Sequence, residues 1–172
     1  MRVLAACLMV MAFAASVPAQ TSAPGSRGYV PVTEFDPGRD ADRDVREAVA
    51  EAGRRGRRVL LDVGGTWCVW CRRLDTLFVT RTDIAEFRDR NFVTVKVNYS
   101  KENKNEKVLS RYPKIPGYPH LFVLDADGRL LHSQDTGELE GGKGHDPEKV
   151  LTFLKEWAPP KGGNASNRKN VE

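Results

Sequence analysis

The sequence predicts an α/β domain, a mixed sheet of about four strands flanked by helices, and three observations carry that reading. The apolar, β-branched run Val59-Leu60-Leu61-Asp62-Val63 leads through Gly64-Gly65 into a segment, Arg72 to Phe78, with apolar residues at helical spacing. A second strand-forming run, Phe92 to Asn98, follows that helix, and strand, helical crossover, strand implies parallel pairing with a right-handed connection. Finally, His120 to Asp125, the turn Asp127-Gly128 and Arg129 to Ser133 read as an antiparallel hairpin that completes the sheet.

The elements follow in order. Met1-Arg2, the apolar run Val3 to Ala15 and Ser16-Val17-Pro18-Ala19 form a secretory signal pattern. Its apolar stretch is shorter than the roughly 20 residues a bilayer span needs, so the expectation is cleavage after Ala19, export to a periplasm-type compartment and no stable membrane span. Residues 20–38, rich in Ser, Pro and Gly, read as a flexible linker or a loosely docked arm. From Asp40 to Arg55 the spacing of Ala41, Val45, Ala48, Val49 and Ala52 predicts an extra N-terminal helix, closed by Gly53 or Gly56. Arg54, Arg55, Arg57 and Arg58 suit the solvated end of that helix. Arg58 to Val63 is the first strand, apolar enough to be covered on both faces. The next helix runs from Cys68 through Phe78, and a shorter one spans Asp83 to Arg90. After the strand Phe92 to Asn98, Val108, Leu109 and Tyr112 give a helix ending before Pro113. The glycine-rich stretch Gly137 to Lys143 reads as a flexible loop. Asp146 as N-cap and Pro147 at the first position open a last helix, with Val150, Leu151, Phe153, Leu154 and Trp157 on its buried face. The expected organisation is leader 1–19, linker 20–38, one domain 39–158 and a polar tail 159–172.

A formal charge of +4 with signs alternating along the chain gives no basic stripe, which argues against nucleic acid as a partner. Of the three cysteines, Cys7 leaves with the leader, so the exported chain keeps Cys68 and Cys71. Cys68 falls at a helix start, where unpaired N–H groups and the macrodipole stabilise a thiolate, the reactive form of cysteine. Cys71 is one turn further on, close enough to form a disulfide with it and make a two-electron switch. So short a loop removes little unfolded-state entropy, so the bond reads as a working group rather than a staple. Zinc would need His120, His132 or His145 to complete the two cysteines, and no metal or other cofactor is expected. Arg72 stands where covalent haem attachment would need His. Gly137 to Lys143 mimics a phosphate-binding loop, but Gly144 replaces the magnesium-holding hydroxyl and two glutamates would repel phosphate.

Trp67-Cys68-Val69-Trp70-Cys71 in this element order, over Val59 to Trp157, resembles the thioredoxin fold and its redox motif. Asp62, six residues before Cys68, is similar to the family's buried acid; Lys96 to the lysine near that acid; Tyr118-Pro119 to its cis-proline site. The resemblance implies an exported thiol-disulfide oxidoreductase, a monomer that reduces or exchanges disulfides in client proteins and is served by an electron donor or acceptor protein. In that scheme Cys68 attacks, Cys71 resolves, and Asp62, its pKa raised by burial, takes the proton of Cys71 with Lys96 in register beside it. Trp67, Val69, Trp70, Tyr118 and Pro119 would form the surface that meets the client. Three bland readings stand beside this one: a strand-end ion pair for Asp62 and Lys96, a core aromatic for Trp70 and a plain turn for Tyr118-Pro119. A client-binding module or chaperone with an idle disulfide is the competing class. Val69-Trp70 and Gly64-Gly65-Thr66 depart from the residues of thioredoxin itself. Such changes help set potentials across roughly −270 to −120 mV.

Overall fold

The computed structural model describes residues 28–160. The expected leader and nearly all of the expected tail lie outside them. The sheet has the order β2-β1-β3-β4. Its central strands are β1 (Arg58–Gly64) and β3 (His120–Leu124), paired antiparallel, with β2 (Phe92–Asn98) parallel to β1 on one side and β4 (Leu130–Asp135) antiparallel to β3 on the other. One face carries α1 (Ala41–Arg55) and the short α4 (Glu106–Leu109); the other carries α2 (Val69–Thr80), α3 (Thr82–Asn91) and α5 (Pro147–Glu156). This is the expected thioredoxin fold with its extra N-terminal helix.

The period of two along β1 divides the core. Val59, Leu61 and Val63 pack with the α1 layer, whereas Leu60 packs with α2, α3 and α5. Asp62 and Gly64 alternate onto the same side as Leu60, a point on which the site depends. Helix starts are set by side-chain caps: the Asp40 carboxylate accepts from the N–H groups of Asp42 and Arg43, and that of Asp146 from Glu148 and Lys149. Gly56, at φ +63°, closes α1 in the left-handed conformation that glycine adopts most readily.

Three expectations need correction. Over residues 28–38 the stretch is not a flexible linker but follows the alternative reading, a docked arm. Val32 is buried and bridges Val95 in parallel, with the Lys96 N–H donating to the Val32 carbonyl at 3.1 Å, and Phe35 is buried against the cysteines. The unpaired edge of β2 offers main-chain partners that local composition does not reveal. The expected flexible loop at Gly137 to Lys143 contains a 3₁₀ turn (Thr136–Leu139) and the first strand of a small hairpin, β5 (Glu140–Gly141) with β6 (Gly144–His145), turning at Gly142 with φ +60°. Leu139 anchors it in the core, and Lys149 Nζ donates to the carbonyls of Glu138 and Glu140. The fourth strand begins at Leu130 rather than Arg129 and runs to Asp135, because pairing with β3 holds its polar end.

Candidate active site

The turn from β1 into α2 fixes the sulfurs. Cys68 N–H donates to the Gly65 carbonyl at 3.0 Å, and Cys68, still extended at φ −88° and ψ 113°, is the N-cap of α2. Cys68 and Cys71 form a disulfide, their Cα atoms 5.2 Å apart. The Cys71 N–H donates to Cys68 Sγ at 3.1 Å. The sulfur of Cys68 therefore occupies the place where a capping oxygen would sit, and on reduction that N–H would stabilise its thiolate. Both residues are buried, at 5% exposure for Cys68 and 1% for Cys71, so the narrow opening to solvent falls on Cys68. Gly64 is required behind them: a Cβ there would collide with Cys71 Sγ and come within 3.1 Å of the Phe35 ring.

Aromatic residues wall the opening. Trp67, 56% exposed, donates its indole N–H to the Tyr99 carbonyl at 2.7 Å and sets its edge on Tyr118, with centroids 5.8 Å apart. Tyr99 stacks on Tyr118 at 4.7 Å. Burial, with Tyr99 adding to it, pushes the Tyr118 hydroxyl up to about 12. The Tyr118-Pro119 bond is cis, and the Tyr118 carbonyl oxygen lies 3.5 Å from Cys68 Sγ. The Thr136 hydroxyl donates to the Pro119 carbonyl and holds this corner. Val69 is exposed; Trp70, expected in the open, is half-buried between the Arg73 guanidinium, 4.4 Å from its ring, and the edge of His145. A cleft of about 670 Å³ runs from Trp67 and Pro37 past Tyr99 towards Lys104.

Beneath the disulfide lies a polar cluster. Asp62, 1% exposed, is on the face of β1 that Gly64 presents to Cys71. Desolvation pushes its carboxyl up to about 7, with Lys96 and Arg88 opposing and Asp75 reinforcing the shift. Lys96 is its register partner, as expected, but Lys96 Nζ stands 4.0 Å from Asp62 Oδ2 and forms its close ion pair with Asp75. The ammonium also lies 4.4 Å over the Phe35 ring. Sequence reasoning missed Asp75, Phe35, Tyr99, Arg73 and His145. Asp75 carries a signal in its spacing, one turn beyond Cys71 on the same helical face; Phe35 carries none in a polar, proline-containing stretch.

Phe35 covers both the cysteines and Lys96. Phe35→Ala is expected to cost about 3 kcal/mol of stability and to speed alkylation of reduced Cys71. Denaturant melts and timed alkylation with peptide mapping check this; unchanged labelling of Cys71 would show that the arm does not shield it.

A family model described as thioredoxin-like matches residues 40–126, from α1 to just past the end of β3. A disulfide bond reductase, DsbH, of Chlamydia pneumoniae is 27% identical over 104 residues, 56% of this chain and 61% of that relative, so the match spans less than two thirds of its length. Among solved structures, a disulphide isomerase from Xylella fastidiosa Temecula1 superposes with a TM-score of 0.63 at 24% identity, over 71% of this chain and 94% of the other. A thioredoxin from Thermus thermophilus gives 0.51 at 18% identity, over 64% and 81%. At these identities the structural likenesses establish the fold.

Proposed function

This chain belongs to the thioredoxin-like family, and from that premise we propose that it is an exported thiol-disulfide oxidoreductase that reduces or exchanges disulfides in other proteins through Cys68 and Cys71. The observation that carries the proposal is the sulfur of Cys68 at the start of α2, accepting the Cys71 N–H and facing the Tyr118 carbonyl across 3.5 Å. The likeness to the chlamydial disulfide bond reductase favours the reducing direction. The leader pattern before Gln20 supports export. Among the described residues no helix is long and apolar enough to cross a membrane. Residues 39–158 are taken as the working domain, with the arm from residue 28 docked on it.

The dithiol form starts the reaction. Cys68 thiolate attacks one sulfur of a client disulfide; a Cys68–client bond forms, the client S–S bond breaks, and the second client sulfur leaves as thiolate and takes up a proton. Cys71 gives its proton to Asp62 and attacks Cys68 Sγ, which forms the Cys68–Cys71 bond and releases the first client sulfur as thiolate. Two electrons pass to the client, and a dithiol donor protein returns them. The client lies as an extended segment along the Tyr118 backbone, between Trp67 and Val69, with Trp70 bounding the far side and Pro119 fixing the corner.

A domain that only binds clients would not need an intact cysteine pair. Insulin reduction driven by dithiothreitol separates the two readings. The protein is expected to accelerate precipitation of the insulin B chain and Cys68→Ser to add nothing to dithiothreitol alone. Equal rates with and without the parent protein would overturn the catalytic reading in favour of client binding.

A further inference from the structure

The scheme above uses Asp62 and leaves Asp75 without a part. Asp75 lies one helical turn beyond Cys71, so α2 presents both on one face. Its carboxylate is ion-paired with Lys96 Nζ, while Asp62 Oδ2 stands 4.0 Å from the same ammonium and Asp62 Oδ1 has no partner. Lys96 thus lies between two carboxylates and is committed to the outer one. A buried charge gains more from close pairing than a partly hydrated one, so an ammonium without that outer partner would turn inward. The outer position is also the wetter one: the Asp75 side chain is 32% exposed against 2% for that of Asp62. The other charge acting on Asp62 is Arg88 of α3. From β3 its register partner is the apolar Leu121, and two residues further along the same face of β1 the Cys71 sulfur and the Phe35 ring lie against Gly64.

We propose that Asp75 is a positioning residue for the resolving step: by holding the Lys96 ammonium outward it leaves Asp62 uncompensated, and so able to take the proton of Cys71 near neutral pH. The inference rests on the reading of Asp62 as proton acceptor. The direction of the Asp62 shift agrees with the geometry, since burial and Asp75 raise it while Lys96 and Arg88 oppose.

The test measures two quantities in full-length protein carrying Asp75→Asn or Asp75→Glu, with Asp75→Ser as a second neutral variant should the amide not fold. One is the carbon-13 NMR titration of the Asp62 carboxyl in the oxidised form. The other is the pH profile for resolution of a Cys68 mixed disulfide with a model peptide. With Asp75 neutral, Lys96 swings to Asp62, the Asp62 midpoint falls by about one pH unit or more, and the rise of the resolution rate with pH moves down with it; Asp75→Glu restores both. In a Lys96→Gln background Asp75→Asn should move Asp62 much less, because the relay is gone. An unmoved or raised Asp62 midpoint overturns the proposal directly, and so does an equal shift in the Lys96→Gln background, which would make Asp75 a mere neighbouring charge. A shifted Asp62 titration with an unshifted rate profile overturns it through its premise, since Asp62 would then not be the acceptor.

Discussion

Cys71→Ser is expected to turn this protein from a turnover catalyst into a trap. The variant keeps Cys68 at the helix start, and nothing is lost from the Cys71 main chain, whose N–H still points at Cys68 Sγ. Attack on a client disulfide therefore proceeds. The mixed disulfide then has no second thiol within reach, because Cys71 is the one cysteine paired with Cys68 among the described residues. Multiple-turnover reduction should fall to the rate of the small-molecule thiol alone, a loss of at least about 10²-fold of the size seen when a member of a catalytic unit is removed. Covalent complexes should accumulate, resolvable by non-reducing electrophoresis and by intact mass. Stability of the reduced protein should change little, since serine is close to isosteric and neither reduced chain carries the cross-link. Cys68→Ser should capture nothing under the same conditions. Capture by Cys68→Ser and none by Cys71→Ser would reverse the roles; undiminished turnover by Cys71→Ser would remove the resolving step.

Local pattern is what made most of the fold legible. The strand runs of β1, β2 and β3 are rich in apolar and β-branched residues, and the turn residues between them are distinctive, so the parallel β1–β2 pair and the terminal hairpin followed from connection rules, whereas the order of strands across the sheet came from the structure. The docking place of the arm and the β5–β6 hairpin were not legible, because both are held by distant main-chain and core contacts: Val32 on Val95, Leu139 in the core, Lys149 on two carbonyls. In the site, the positions of Cys68, Cys71, Asp62 and Pro119 are fixed by the strand or helix that each belongs to or directly precedes, and their placement could be read from spacing and family likeness. The partners of charged and aromatic tips could not. Lys96 is in register with Asp62, yet its long side chain lets it choose Asp75 across the layer. Trp70, open by position, is covered by a hairpin that the sequence presents as a loop.

Asp62→Asn is expected to make the protein slower and more stable at once, and the two signs together separate a proton acceptor from a structural ion pair. The activity argument is direct. If Asp62 takes the proton of Cys71, a neutral amide of the same shape cannot, and resolution at neutral pH should fall by about 10²-fold, at the low end for a lost general base. The stability argument runs through proton binding. The Asp62 carboxyl titrates at about 7 in the folded protein against an ordinary value of 3.8, with desolvation the largest cause. Between those values the native state holds the proton and the unfolded chain has lost it, so stability must fall as pH rises through that window. Below it the buried acid is neutral in both states and costs nothing by this route. Above about pH 7 the full penalty applies, about 4 kcal/mol for a shift of this size. Asparagine carries no such penalty, so parent and variant should differ least near pH 4, and the variant should gain steadily towards pH 8. The gain falls short of the full figure by what a buried amide loses where Asp62 Oδ1 already lacks a partner. Denaturant melts of the oxidised proteins at both pH values measure it. An ion pair with Lys96 that mattered for folding would give the opposite result, a variant less stable at pH 8 than at pH 4 relative to the parent. That outcome, or neutral-pH turnover equal to the parent's, would return Asp62 to the role of a strand-end charge.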